Sequence, residues 1–360
     1  MKLLFATDGI FPDSIGGKQR HALFLVKYLS KFNIEIDVLG PKGGSKHFEN
    51  LSNVKEFFID KPAYYFPGHY LFELFQYSRN ISKFLKKRKY DVGYCEGYCL
   101  LDYVKRKKFP CIFNPHGLEM FQTRVRYSSL FKKIVSYMGE HSDITISLGG
   151  KLTDILVREA KVKPSKVRTI PNAVDPGYIK NSKKTTDKIP NSFLFVGRLS
   201  YNKGVDLLIK AFNKNKDTKL FIIGSGPEKN KLEKLSTNSN ITFLGKVSEK
   251  DLIDWYNKVE CFIFPSLGEG MPSVILEAMA SRLPVIASDI GAVSTMVNSN
   301  NGYLISPGSI GALEEAIHTF TNKNKNDKEK MGEESYKLAN RKFSWEQIAK
   351  ETYRVLEYAK

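Results

Sequence analysis

Cysteine is scarce in this chain. There are four, Cys95, Cys99, Cys111 and Cys261, with no Cys-x-x-Cys pair and no histidine at a zinc-binding spacing from them. A disulfide framework and a zinc-finger module are therefore excluded, and reduced, buried thiols are expected. Long apolar runs are also missing. No stretch approaches the roughly 18 to 20 residues needed to cross a bilayer. The N-terminus, MKLLFATDGIFPD, is apolar only from Leu3 to Ala6 before Asp8 interrupts, too short for a signal-peptide core. A cytoplasmic location follows as an expectation. No internal repeat of 20 to 50 residues and no low-complexity tract is present.

Negative charge is in deficit as well. Thirty-eight acidic residues face 56 lysines and arginines, a net charge of +18. Part of the excess is concentrated in RNISKFLKKRKY (79–90), VKRKKF (104–109) and TRVRYSSLFKKIVSYM (123–138), where cations alternate with aromatic and aliphatic side chains. A solvated surface, an anionic membrane or acceptor, and nucleic acid all fit such segments, and charge alone does not separate them.

What the chain does have is size and alternation. Its 360 residues suit two domains. LLFAT (3–7) predicts a strand, Gly16 and Gly17 precede a helical pattern through residues 18–30, and IEIDVLG (34–40) predicts the next strand. That is a βαβ unit, the signature of a parallel sheet. Further strands are predicted at 92–95, 111–115 and 144–149. The polar stretch KNSKKTTDKIPNS (180–192) predicts a surface connection. A second alternating series then begins with FLFVG (193–197) and continues through KLFIIGSG (219–226), ITFLG (241–245), CFIFPS (261–266), LPVIAS (283–288) and NGYLIS (301–306), with helices between them. Three helices end the chain. The expected organisation is an α/β fold of two Rossmann-like domains facing each other across a cleft: 1–178, 179–343, and a final helix, 344–360, packing back on the first domain. Loops at the carboxyl ends of the strands and free helix amides would line that cleft, which suits a diphosphate.

One stretch carries the most chemistry. SLGEGMPSVILEAMA (266–280) places Glu269 in a loop after a strand and Glu277 about one turn into a helix predicted to begin near Pro272. The free amides of Ser273 and Val274 would then point at an anion. Carboxylates accept hydrogen bonds from vicinal hydroxyls, and amides bind phosphates. The element thus reads as a carboxylate, an anion nest and a second carboxylate.

The block FPSLGEGMPSVILEAMASRLPVIAS resembles the donor-binding signature of the retaining family 4 glycosyltransferases, which have the two-domain GT-B fold. GRLSYNKGVDLLIKAF (197–212), LFIIGSGPEKNKL (220–232), IPNAVD (170–175), IGGKQRHALFLVKYLS (15–30) and NPHG (114–117) resemble other family segments in order and spacing. The resemblance spans nearly the whole chain, strongly in 193–290 and less so in 40–140. It implies that Arg198 and Lys203 hold a donor diphosphate, that Glu277 binds ribose hydroxyls, and that Glu269 contacts the transferred sugar. His116 would be a cleft histidine near that sugar. Gly16 and Gly17 would let amides approach donor phosphate or acceptor. Gly270, Met271, Pro272, Ser273 and Val274 would line the phosphate nest, and Gly224 and Val247 the nucleobase pocket. Pro272 departs from the family pattern, where many relatives have glycine, so one amide contact is lost. The apolar segment AYYFPGHYLFELF (63–75) matches no family motif.

The implied activity is metal-independent, retaining transfer from a nucleotide-diphosphate sugar, UDP- or GDP-linked, to a glycan or lipid-linked acceptor. No metal or further cofactor is implied, because no Asp-x-Asp occurs and cations with helix amides can carry the diphosphate charge. Contact with an anionic membrane surface remains open; nucleic acid is not an expected partner. A sugar-nucleotide epimerase or phosphorylase on the same fold, or a nucleotide or sugar binding protein without turnover, are the competing readings.

Overall fold

The computed structural model describes residues 1–14, 16–64, 69–118, 121, 128–183 and 187–360. Ile15, residues 65–68 of the unmatched apolar segment, 123–127 of the third basic segment and 184–186 of the predicted connection lie outside the described residues. The chain divides into two compact units, 1–172 with 345–360, and 173–344.

The first unit is built on a seven-stranded, all-parallel sheet. Its strands are β1 (Lys2–Ala6), β2 (Glu35–Pro41), β3 (Val54–Ile59), β4 (Val92–Glu96), β5 (Cys111–Asn114), β6 (Ile144–Ser147) and β7 (Val167–Thr169), in the order β3-β2-β1-β4-β5-β6-β7. Its helices include α1 (Gly17–Leu29), α2 (His69–Leu85) and α3 (Ser128–His141), followed by the short α4 (Lys151–Asp154). The central strands are buried on both faces and read as continuous apolar runs, as in LLFA. All four cysteines are free and buried.

The second unit opens with the short helix α5 (Pro176–Lys180) and holds a six-stranded parallel sheet. Its strands are β8 (Ser192–Val196), β9 (Lys219–Ile223), β10 (Ile241–Gly245), β11 (Cys261–Phe264), β12 (Val285–Ser288) and β13 (Gly302–Ile305), ordered β10-β9-β8-β11-β12-β13. The crossovers are α6 (Val205–Lys214), α7 (Lys229–Leu235), α8 (Glu249–Lys258) and α9 (Ser273–Ala280), with α10 (Ile310–Thr321) and α11 (Lys325–Lys342) after the last strand. Helix α12 (Trp345–Ala359) belongs to the first unit. Its Trp345 stacks near Phe24, with ring centroids 5.5 Å apart, and its Tyr353 stacks on Phe32 at 4.5 Å.

Both sheets reverse strand order at one point, β1 against β4 and β8 against β11. In open parallel sheets, ligands bind beyond the carboxyl ends of the strands at such switch points. Every sequence-predicted site residue except those around Gly224 and Val247 follows a strand flanking one of these points or its neighbour β5.

Candidate active site

In the second unit β8 runs out at Val196, and a single 3-10 turn, Tyr201–Lys203, precedes α6. Gly204 closes that turn with a φ of +64°. A Cβ there would come within 2.3 Å of the Pro265 carbonyl oxygen. The turn is thereby pressed against the loop after β11, where Glu269 lies. Lys203 Nζ ion-pairs directly with the Glu269 carboxylate. Ser266 Oγ lies 2.8 Å from Glu269 Oε1 and 2.9 Å from the Asn202 carbonyl, so the loop and the turn share one hydrogen-bonded cluster. Gly291, at φ +49°, backs the same loop. A Cβ on it would meet the carbonyl oxygens of Gly270 at 2.2 Å and Glu269 at 2.3 Å. The Ala292 amide donates to the Gly270 carbonyl at 2.9 Å.

Pro272 is the residue before α9, not its first helical residue. Its extended backbone, φ −69° and ψ 118°, sets the helix start at Ser273. The predicted start is corrected by one position, because Pro272 contributes its carbonyl to the Ile275 amide at 3.2 Å and so acts as the cap. The amides of Ser273 and Val274 have no acceptor among the described residues, and both residues are only half-buried. Glu277 is buried one turn further on and accepts a hydrogen bond from Tyr256 of α8 at 3.2 Å. Burial, then the neighbouring Glu277 charge, push the Tyr256 hydroxyl far above its usual range, so it stays a donor.

Arg198 is exposed, and its guanidinium forms no hydrogen bond or ion pair among the described residues. Gly224 follows β9 and abuts it: a Cβ there would fall 1.9 Å from the Gly197 carbonyl oxygen. Leu199 donates to the Ser225 carbonyl at 3.0 Å, so the 224–226 turn and the 197–199 segment form one surface. Val247 is half-buried in the loop after β10.

The first unit gathers a different set. Gly16 caps α1 and Gly17 begins it; a Cβ on Gly17 would meet nothing within 4 Å, so its place is not fixed by crowding. Lys18 pairs with Asp8 at 2.6 Å. Burial would lower its pKa, but Asp8 outweighs burial and holds it above the usual lysine value. His116 follows β5 in a left-handed backbone conformation, φ 57°. Its amide donates to Asn114 Oδ1 at 3.0 Å, while Asn114 Nδ2 donates to the Tyr94 hydroxyl at 2.8 Å.

Two residues that the sequence reading did not single out complete the cluster. Glu96, the last residue of β4, has no solvent exposure, and its Oε1 lies 2.8 Å from His116 Nε2 and 2.5 Å from His21 Nδ1. Burial alone would raise the Glu96 pKa. The charges and hydrogen bonds of His116 and His21 outweigh it and hold the carboxyl at about 2. Burial is also the largest influence on His116 and lowers its pKa to about 4 despite Glu96, so the ring is neutral near pH 7. The anion thus takes one N–H from each imidazole. These three side chains could together ligate a metal ion; as they stand, Glu96 Oε1 takes a hydrogen bond from each imidazole, and Glu96 Oε2 is buried with no partner among the described residues. An acidic residue closing a fully apolar strand at the switch point was the available signal for Glu96.

Two open, parallel-sheet units with these loops define a GT-B glycosyltransferase fold. The chain belongs to glycosyltransferase family 4. Residues 15–178 match Glycosyltransferase Family 4, and residues 179–338 match Glycosyl transferases group 1. It is 26% identical to an uncharacterized glycosyltransferase of Methanocaldococcus jannaschii over all of this chain and 98% of that protein. It is 33% identical to the capsular polysaccharide biosynthesis glycosyltransferase CapM of Staphylococcus aureus over 43% of each. Among solved structures, the sucrose-phosphate synthase of Thermosynechococcus elongatus superposes over the whole of both chains with a TM-score of 0.82 at 20% identity. HepE of Anabaena, in complex with UDP and glucose, superposes over 99% of each chain with a TM-score of 0.74 at 17% identity.

Proposed function

We propose that the enzyme transfers a sugar from a nucleotide diphosphate, with retention and without metal, to a hydroxyl of a lipid-linked glycan or glycolipid in cell-surface polysaccharide or glycoprotein assembly. The observation that carries this reading is the Lys203–Glu269 pair beside the two free amides of α9. In the donor complex the Lys203 ammonium turns to the diphosphate, and Glu269 takes the sugar hydroxyls. Exposed Arg198 supplies a forked donor to the same phosphates. The Ser273 and Val274 amides receive a phosphate oxygen. Glu277, held by Tyr256, accepts from the ribose.

His116, with Nε2–H given to Glu96, offers Nδ1 as an acceptor for a hydroxyl of the transferred sugar. The cations stabilise charge on the departing nucleotide, which is where transition-state charge develops. No side chain among the described residues stands out as a dedicated base, and the leaving phosphate accepts the proton of the acceptor hydroxyl. Relatives and structural neighbours support the substrate class: the former include CapM, and the latter HepE bound to UDP and glucose.

A peripheral membrane location fits α2. Phe72, Phe75, Arg79 and Lys83 are all exposed, and their spacing places them on one stripe of the helix, aromatic at its start and basic toward its end, with exposed Lys86 just past it. Sedimentation with anionic vesicles, weakened by Phe72→Ala with Phe75→Ala, would support it; indifference to anionic lipid would end it. Helices long and apolar enough to span a membrane are absent among the described residues.

The direct test is thermal-shift screening against UDP-, GDP- and ADP-sugars, followed by donor consumption with and without a polyprenyl-diphosphate glycan acceptor. Acceptor-dependent consumption is expected. Rapid consumption without acceptor would instead favour an epimerase or phosphorylase. Tight binding without turnover would favour a binding protein.

A further inference from the structure

The amino-terminal edge of the second sheet, opposite the edge carrying Lys203 and Glu269, holds a cavity of about 220 Å³. Segments leading into β8, β11 and β12 line it, together with the first turns of α11. Five cationic side chains face three carboxylates there, an excess of two positive charges. Two of the cations are paired: Lys328 Nζ lies 2.9 Å from Glu260, and Arg282 Nη1 lies 2.5 Å from Glu333. Lys188 forms no hydrogen bond or ion pair among the described residues. The Nε of Arg282 is buried without a partner.

The wall is firmly set. The Arg282 guanidinium stacks on Tyr336 at 3.8 Å, and Arg282 itself occupies a left-handed backbone position, φ 60°, at the end of α9 where glycine is the usual residue. A Cβ on Gly332 of α11 would come within 2.3 Å of the Arg282 carbonyl oxygen, so α11 is seated directly on this turn. A half-buried ammonium and a buried guanidinium N–H left without acceptors are costly arrangements unless an anion completes them. Burial, the largest influence on Lys188, lowers its pKa to about 8, against an opposing pull from Glu260.

We propose that this cavity binds a small dianion of the phosphate class, free phosphate or a sugar phosphate, through Lys188 Nζ and Arg282 Nε. Two negative charges match the excess of the lining, and the volume suits an ion of that size. The site is separate from the transfer chemistry. Helix α9 links the two edges of the sheet, with Glu277 and the free amides on its first turns and Arg282 just past its end.

The experiment is isothermal titration of the full chain with inorganic phosphate and with glucose 6-phosphate, at ionic strength held constant with sodium chloride. It uses a Lys203→Ala background, so that the proposed donor phosphates do not contribute. Saturable one-to-one binding is expected, weakened by about tenfold or more when Lys188→Met is added. Preference for either probe identifies the free ion or the ester as the ligand. In the Lys203→Ala chain with Lys188 retained, affinity is expected to fall as pH rises through about 8, a readout that does not depend on the folding of the Lys188 variant. Absence of saturable binding in the Lys203→Ala chain, or binding indifferent both to Lys188→Met and to pH, would overturn the proposal. Loss of phosphate binding with Lys203→Ala alone would return the anion to the donor site.

Discussion

His116 donates through Nε2 to Oε1 of Glu96 across 2.8 Å, and neither side chain is open to solvent to any large extent. The relationship sets the tautomer of the ring. Glu96 is a buried anion and can only accept, so the free nitrogen of His116 must be the acceptor, Nδ1.

The first prediction is a pH dependence of stability. The His116 pKa lies near 4 in the folded protein and near 6.5 in the unfolded chain. Above pH 6.5 both states are neutral at this ring and nothing is lost. Between about 6.5 and 4 the unfolded chain binds a proton that the folded protein does not, so stability falls as pH falls. The slope is at most about 1.4 kcal/mol per pH unit from this group. The Glu96 contribution has the opposite origin. It is present above the carboxyl's ordinary value of 4.5 and disappears only as pH falls toward about 2. Urea denaturation between pH 7 and 4.5 is expected to show a shallower slope for His116→Asn, since asparagine tolerates the left-handed backbone. An unchanged slope would contradict the assignment.

The second concerns Lys203. Lys203→Ala is expected to leave a folded chain by circular dichroism and lower kcat by about a hundredfold or more. Near-normal transfer by the folded variant would remove Lys203 from the proposed chemistry. Glu269→Ala is expected to fail comparably.

The third separates binding from chemistry. Glu277→Gln removes the charged acceptor proposed for the ribose and is expected to raise donor KM by about tenfold to a hundredfold with a smaller change in kcat. Tyr256→Phe, which removes only the supporting hydroxyl, is expected to shift KM by less. Equal losses in kcat and kcat/KM for Glu277→Gln would place it in the transition state instead.

The fourth rests on a glycine. Gly291→Ala forces a Cβ to within 2.3 Å of two carbonyl oxygens of the Glu269 loop at a positive φ. A loss of about 1 to 3 kcal/mol in chemical denaturation is expected, together with lower activity, because the same loop positions Glu269. Gly17→Ala, with open space around it, is expected to change stability little and serves as the control.

Legibility in the sequence followed locality. The donor element reads well because Glu269, the amides and Glu277 lie within nine consecutive residues, and the strands of the second unit are short apolar runs bounded by glycine or proline. Strand β3 was missed because it lies at the sheet edge and carries Lys55 and Glu56 among its apolar residues. Helix α2 is obscured in the sequence because aromatic residues crowd its first half and lysine and arginine its second. Glu96 and His21 were invisible because 75 residues separate them, and only the β1–β4 pairing brings them together. Pro272 shows a finer failure: both its possible positions leave the same amides exposed, and only backbone angles distinguish them.

The chain leaves the first unit at Asn172 and returns to it at Trp345, and the amide of Val174 donates to the carbonyl of Phe343 at 2.8 Å. The second unit is therefore an insert whose two ends meet. During synthesis on the ribosome it can finish folding first. The earlier-made unit must wait for the last sixteen residues, which bring Trp345, Ile348 and Leu356 to cover its core. A stop codon just before Trp345 would thus harm the half of the protein translated long before it.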